Sequence, residues 1–117
     1  MAIKRFKTNK RMSQVVVHNN TLYTAGQVAA NAPGESVANQ TKAILLEIDQ
    51  LLADAGSDKT RIISATIWLA SMDDFAEMNT IWDAWVIPDQ TPTRACVESK
   101  LATPDFSVEI AIIAALD

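Results

Sequence analysis

The run from Val108 to Ala115, VEIAIIAA, constrains the fold more than any other part of this 117-residue chain. Successive side chains of a strand point to opposite faces of its sheet, and both faces of this run are mostly apolar. The run therefore predicts a strand that is covered on both sides. Glu109 is the exception, because removing a carboxylate from water costs several kcal/mol unless it gains a partner or hydrogen-bond donors.

The preceding segment, TPTRACVESK, contains the only cysteine of the chain. A period of two places four residues on one face of a second strand: Arg94, Cys96, Glu98 and Lys100. Arg94 and Cys96 are therefore expected to point the same way. Arg94 and Glu109 admit two interpretations, a structural ion pair across the ATPD connection or a substrate site, and residue types alone favour neither.

A hairpin is predicted near the start of the chain. The β-branched and aromatic runs Ser13–His18 and Thr21–Gln27 are separated by Asn19 and Asn20, which tolerate the positive φ of a tight turn. His18 lies beside this turn, where a solvent-facing residue is far commoner than a catalytic one. No serine has the G-x-S-x-G surroundings of a nucleophile, so a Ser-His-Asp triad is not expected.

Two helices and a further strand are predicted between these regions. The first helix runs from Ser36 as N-cap to Ala55, with Gly56 as its C-terminal cap residue, and Arg61–Leu69 forms a central strand. The second helix starts with the capping residues Ser71–Asp74 and stops before Pro88. Its apolar face is formed by four residues: Phe75, Met78, Trp82 and Trp85.

The element order is therefore β-β-α-β-α-β-β, which predicts an α+β fold with a mixed sheet and two helices on one face. Residues 1–117 fit a single domain. Two helices cover only one face of such a sheet, and monomers rarely expose a large contiguous apolar patch. The uncovered face predicts self-association.

Composition limits the function classes. No apolar run reaches the roughly 18 residues of a membrane span, and three glycines form no phosphate-binding loop. One cysteine and one histidine build neither an internal disulfide nor a usual zinc site, so no cofactor or metal is expected and a reducing cytoplasm is the default location.

Charge is distributed unevenly along the chain. The first eleven residues hold five of the ten basic residues, at positions 4, 5, 7, 10 and 11, whereas the first acidic residue is Glu35 and the net charge is −4. Nucleic-acid binding favours aromatic residues among the charges, and Phe6 is the only one in this basic arm. We therefore expect a solvated, charged terminal segment and no tight binding of nucleic acid.

The segment R-A-C-V-E, followed by a Pro-containing turn and V-E-I-A, resembles the signature of the Rid family, also called the YjgF family. SQVVVHNNTLYTAGQV resembles the first hairpin of that family, and DDFAEMN resembles the start of its second helix. The resemblance covers nearly the whole chain. WDAWV and the early MSQ look most like a divergent branch rather than the best-studied imine deaminases.

This resemblance implies a chorismate-mutase-like fold, assembled as a homotrimer whose sheets form a central barrel with clefts between subunits. It implies that Arg94 grips a substrate carboxylate, that Glu109 positions or activates a water, and that Cys96 and Asn79 line the cleft. Cys96 is interpreted as a lining residue, because no histidine in its segment would activate it. No cofactor is implied.

Two cleft positions depart from the deaminase pattern. Met12 stands where that branch has a tyrosine, and Ala25 stands where it has a serine, just before the Gly26-Gln27 pair. Each lost hydroxyl removes a hydrogen bond worth roughly 0.5–1.5 kcal/mol.

Three functions remain open from the sequence. The leading hypothesis is hydrolysis of reactive 2-imino acids, such as 2-iminobutanoate and 2-iminopropanoate, to 2-keto acids and ammonia. The first alternative is non-catalytic binding of a small carboxylate metabolite in the same cleft. The second is endoribonuclease activity.

Overall fold

The computed structural model describes residues 2–117, which form one mixed sheet with two helices packed against one of its faces. The helices are α1 (Val37–Asp54) and α2 (Phe75–Trp85). The strands are β1 (Lys4–Thr8), β2 (Ser13–His18), β3 (Thr21–Thr24), β4 (Gln27–Val28), β5 (Ile62–Leu69), β6 (Thr93–Glu98) and β7 (Val108–Ala115).

The sheet order is β1-β2-β3-β7-β5-β6, and β4 pairs with β7 beyond the end of β3. All pairs are antiparallel except β5 with β6, which are parallel and joined through α2. A parallel pair needs such a crossover, because a tight turn joins only antiparallel neighbours. β7 lies at the centre, as its apolar sequence predicts, and β6 forms an edge.

Helix α1 begins and ends where the sequence predicts. The Ser36 hydroxyl accepts a hydrogen bond from the Asn39 N–H at 3.1 Å. At the other end Gly56 adopts a φ of 88°, which a glycine reaches without steric cost. The chain can therefore turn sharply from α1 toward β5.

Helices α1 and α2 lie side by side in the same direction. Near their N-termini the Ala38 N–H donates to the Glu77 carboxylate at 3.1 Å, and near their C-termini the Trp85 indole N–H donates to Asp49 at 3.1 Å. Both helices cover the same face of the sheet. This arrangement confirms the prediction of an α+β fold with two helices on one face.

The core lies between the helices and alternate residues of the central strands. Ile67 of β5 and Ile110 of β7 are paired in register and completely buried. The other face of the sheet has no covering layer within residues 2–117 and includes Tyr23 and Val97, which are 45% and 46% exposed. The face that the sequence predicts to be covered is thus half-exposed in the single chain.

The basic arm is an ordered edge strand rather than only a solvated segment. β1 pairs with β2 in the register Phe6 with Val15, and Phe6 packs against the core while its basic neighbours remain exposed. The expected exposure is confirmed, but the strand was not predicted. Lysine and arginine are tolerated here because an edge strand exposes its side chains and its outer backbone to water.

Three boundaries also differ from the sequence prediction. β3 ends at Thr24 instead of Gln27, β5 begins at Ile62 after a short 3₁₀ turn, and β6 ends at Glu98, so Lys100 does not share its face. The turn at Asn19 and Asn20 is as predicted, with φ angles of 52° and 59°. His18 is half-buried instead of facing solvent.

Candidate functional site

Arg94 lies on the edge strand β6, and its side chain faces the helices. It pairs with the buried Ala65 of β5, and its guanidinium lies 5.8 Å from the ring centre of Phe75 and 5.4 Å from that of Trp82. These aromatic faces attract the cation and fix its position. The guanidinium is therefore held without using its hydrogen-bond donors.

The structural ion pair between Arg94 and Glu109, one of the two interpretations of the sequence, does not form within residues 2–117. Within residues 2–117 the ion pairs are Lys7 with Glu47 at 3.3 Å and Arg61 with Asp58 at 3.6 Å. The structural interpretation of Arg94 and Glu109 is therefore wrong for the single chain. The Arg94 guanidinium donates no hydrogen bond to residues 2–117 in place of this ion pair.

Cys96 follows Arg94 on the same face of β6, as the period of two predicts. It is half-buried against the core, and burial raises the pKa of the Cys96 thiol, while the Arg94 guanidinium opposes this to a smaller extent. A raised pKa keeps the thiol protonated at neutral pH. This agrees with a lining role and not with a nucleophile.

Asn79 lies on α2 between the two residues that contact Arg94. Phe75, Asn79 and Trp82 are four and three residues apart, a spacing that places them on one side of a helix. The Asn79 Oδ1 atom is buried and accepts no hydrogen bond within residues 2–117. Buried polar atoms are rarely left unpaired, so this oxygen lacks a hydrogen-bond donor that residues 2–117 do not supply.

Glu109 lies on β7, where Val28 of β4 and Trp68 of β5 are its register partners. It is half-buried, whereas its neighbours Val108 and Ile110 are buried toward the helices. The Glu109 side chain therefore points to the open face of the sheet. This is the face opposite to that of Arg94.

Gly26 makes room for the Glu109 carboxylate. A Cβ atom on residue 26 would overlap Glu109 Oε2 and would lie 2.9 Å from its Cδ. A side chain on residue 26 would therefore force the Glu109 carboxylate to move from this position.

Met12 and Ala25 lie at the same end of the sheet as Gly26. The Ala25 N–H donates to the Gln14 carbonyl at 2.9 Å, which places Ala25 beside the start of β2, and Met12 directly precedes that strand. Met12 is 41% exposed. Neither residue supplies a hydroxyl to this region.

The predicted site residues thus fall into two groups on opposite faces of the sheet. The anchor half contains Arg94, Cys96 and Asn79, and the carboxylate half contains Met12, Ala25, Gly26 and Glu109. One chain does not bring the two halves together. The sequence pattern places Phe75 and Trp82 on the apolar face of the second helix and does not link them to Arg94. The one signal in the sequence is their separation of seven residues, which places both on the same side of a helix.

Residues 2–117 contain no group of three or more histidine, cysteine, aspartate or glutamate side chains that could hold a metal ion. None of the helices described in that range is long and apolar enough to span a membrane.

Fold and site together define a class of protein: a small mixed-sheet α+β domain that separates an unpaired arginine and a glutamate onto opposite faces of one sheet. The family described as Endoribonuclease L-PSP matches residues 2–116. A RutC family protein of Haemophilus influenzae is 47% identical over 114 residues, covering 97% of this chain and 98% of that protein. The RutC family protein YoaB of Escherichia coli is 45% identical over 116 residues, covering 99% and 100%.

Solved structures give the same result. A YjgF family protein from Neisseria meningitidis superposes with a TM-score of 0.96 at 46% identity, covering 100% of this chain and 97% of that chain. A conserved Rid family protein from Yersinia pestis has a TM-score of 0.90 at 26% identity, covering 97% and 99%. The chain belongs to this family, which is named L-PSP, YjgF, RutC or Rid in different relatives.

Proposed function

We propose that this protein hydrolyses reactive 2-imino acids, or their enamine tautomers, to 2-keto acids and ammonia. The observation that carries the proposal is that Arg94 and Glu109 form no ion pair with each other within residues 2–117. Arg94 is held on aromatic rings with its donors free, and Glu109 is held against Gly26. Each charge is therefore available to a ligand.

The proposed site lies in a cleft between copies of the chain in a homotrimer. Arg94 and Glu109 are on opposite faces of one sheet, so a cleft that contains both requires one residue from each of two copies. The open face supports this assembly, because it includes half-exposed apolar side chains that a monomer would leave in water. Light scattering should return the mass of a trimer, and a monomer at micromolar concentration would contradict it.

In the proposed mechanism Arg94 anchors the substrate. A planar guanidinium can donate two parallel hydrogen bonds to the 2-carboxylate. Asn79 lies on the same side of α2 as the two aromatic residues that contact Arg94, and its Oδ1 atom could accept a hydrogen bond from the imine N–H only after a side-chain movement that exposes it. Cys96 lines the wall as a protonated thiol, because burial raises the pKa of that thiol.

Glu109 acts as the general base. Its carboxylate takes a proton from water while the water oxygen attacks the imine carbon, which gives a tetrahedral carbinolamine. With the protonated imine as substrate this carbinolamine is neutral. Glu109 then returns the proton to the amino nitrogen and accepts the hydroxyl proton as the C–N bond breaks, so ammonia leaves as the carbonyl forms and one water is consumed. General base catalysis of this kind typically contributes about 10²–10⁴ in rate.

Binding in this cleft depends more on charge than in a site lined with hydroxyls. Met12 and Ala25 lack the two hydroxyl groups of the deaminase branch, each worth roughly 0.5–1.5 kcal/mol to a polar substrate. The Arg94 contact then supplies most of the polar recognition. Small 2-imino acids of the 2-iminobutanoate and 2-iminopropanoate type need no further polar contact.

The test is an assay of keto acid formation from imines generated in place by an amino acid oxidase, with and without the protein. We expect faster keto acid release and a matching fall in the imine trapped by semicarbazide. Normal binding of 2-ketobutyrate without turnover of any imine would favour the non-catalytic binding module instead. RNA cleavage by a preparation free of contaminating nuclease would favour the endoribonuclease that the family description names.

A further inference from the structure

We propose that the turn from Asn9 to Met12 is an electrostatic guide, in which Lys10 and Arg11 attract anionic substrates to the carboxylate half of the cleft. The effect is largest for imino acids that carry a second carboxylate. This inference rests on the proposed function, because it concerns the approach of the substrate to that site.

The backbone of this turn is well defined by hydrogen bonds. The Asn9 side-chain oxygen accepts from the N–H groups of Arg11 at 2.8 Å and Met12 at 2.9 Å, and the Asn9 N–H donates to the Met12 carbonyl at 2.9 Å. Lys10 and Arg11 are exposed. Their attachment points are thus fixed while their charged ends remain in water.

The turn lies at the same end of the sheet as Glu109. Thr8 pairs with Ser13, so the turn closes that end of the β1–β2 hairpin. The next positions across the sheet are Ala25, which bonds to Gln14, and Val28, which pairs with Glu109. At about 4.8 Å between neighbouring strands, the turn lies on the order of 10 Å from β7.

The charges of this turn are available to a ligand. Within residues 2–117 the basic arm forms one ion pair, between Lys7 and Glu47, and this pair leaves Lys10 and Arg11 free. The rest of the chain places five basic residues against all fourteen acidic ones. An anion approaching Glu109 meets repulsion from that carboxylate and from the acidic surface, and two nearby cations offset it.

Ligand charge should scale the effect. The Coulomb energy is proportional to the product of the two charges, so it doubles when the ligand carries two negative charges instead of one. A substitution that weakens the binding of a monoanion by a given factor should therefore weaken the binding of a dianion by about the square of that factor. A second carboxylate on the substrate is therefore favoured by this turn. Among the proposed 2-imino acid substrates and their 2-keto products, the turn therefore favours the dicarboxylic ones over the monocarboxylic ones.

The experiment compares two double variants with the same net charge. The test variant is Lys10→Glu with Arg11→Glu in the turn, and the matched control is Lys4→Glu with Arg5→Glu on the adjoining strand β1, where both residues are exposed. Across the sheet, Arg5 pairs with Val16, Val16 pairs with Tyr23, and Tyr23 pairs with Ile113 of β7. Ile113 is four residues along β7 from Glu109. The control charges are therefore about 13 Å farther along the strands.

Affinities for 2-ketobutyrate and 2-ketoglutarate are measured by tryptophan fluorescence at about 10 mM and 0.5 M salt, because Trp82 contacts Arg94. At low salt the test variant should bind 2-ketobutyrate about fivefold more weakly and 2-ketoglutarate about 25-fold more weakly. The control should lose about twofold and fourfold. These differences should disappear at high salt, because the Debye length is then only about 4 Å.

Equal losses in both variants would overturn the proposal, because they would reflect total charge and not position. A test variant that binds both ligands as wild type does would also overturn it. If charge reversal prevents folding, the neutral pair Lys10→Gln with Arg11→Gln should give about half the effect on a logarithmic scale, against Lys4→Gln with Arg5→Gln. Binding is measured without turnover, so absent imine hydrolysis with an intact salt effect would reject the catalytic function alone.

Discussion

Gly26 and Glu109 are in direct contact, and the Glu109 carboxylate occupies the space that a side chain on residue 26 would need. This contact crosses from the interrupted end of β3 to the central strand β7. It fixes the side chain to which we assign the proton transfer. The absence of a side chain at Gly26 is therefore linked to the position of the proposed general base.

Gly26→Ala should displace the Glu109 carboxylate and lower imine turnover by about 10²-fold, the lower range for loss of a positioned base. Binding of 2-ketobutyrate should change much less, since Arg94 lies in the other half of the cleft. Steady-state kinetics and fluorescence titration measure the two effects. Adding Glu109→Gln to Gly26→Ala should cause little further loss, because both changes remove the same group, whereas fully additive losses would contradict this link.

Arg94→Ala should remove most ligand binding while leaving the trimer intact. Truncating one partner of a buried charge pair costs 2–5 kcal/mol, which is roughly a 30- to 3,000-fold loss of affinity. Arg94→Lys should lose part of this, because lysine lacks the bidentate fork. Arg5→Ala is the control, an exposed arginine away from the anchor half. A stable Arg94→Ala trimer that binds 2-ketobutyrate normally would rule out the anchor.

Cys96 should react slowly with iodoacetamide at neutral pH. Burial raises the pKa of the folded thiol, so the thiolate fraction is lower than in the unfolded chain. The raised pKa of Cys96 also makes the free energy of unfolding depend on pH. The contribution of this thiol is fully present at neutral pH, and it declines as the pH rises above the ordinary thiol pKa, because the thiol of the unfolded chain then loses its proton before the thiol of the folded chain does. Alkylation rates from pH 7 to 10, in buffer and in urea, test this. Equal rates at pH 7 would show that the folded thiol is not protected.

Much of the fold follows from local sequence patterns. Three local features were predicted from the sequence and are present in the structure: the Asn19-Asn20 turn, the Ser36 cap and the apolar strand β7. Strand β1 was not predicted because only one of its residues, Phe6, packs against the core, while its basic neighbours give no alternating apolar pattern.

The face relationship between the two halves of the site could not be predicted. A period of two shows that Arg94 and Cys96 share a face, but it does not relate β6 to β7. That relationship depends on β5, in which Ala65 pairs with Arg94 and Trp68 pairs with Glu109, three residues apart and so on opposite faces. Pairing register between strands distant in the chain is a tertiary property.

Mixing Arg94→Ala and Glu109→Gln subunits tests most directly whether Arg94 and Glu109 act in one cleft from different copies of the chain. Each variant alone should be nearly inactive. In trimers reassembled from equal amounts, about a quarter of the clefts would combine an intact Arg94 with an intact Glu109. We predict that imine turnover recovers to about that fraction of the wild-type rate. Mixed trimers, verified by mass, that remain as inactive as the separate variants would contradict the account.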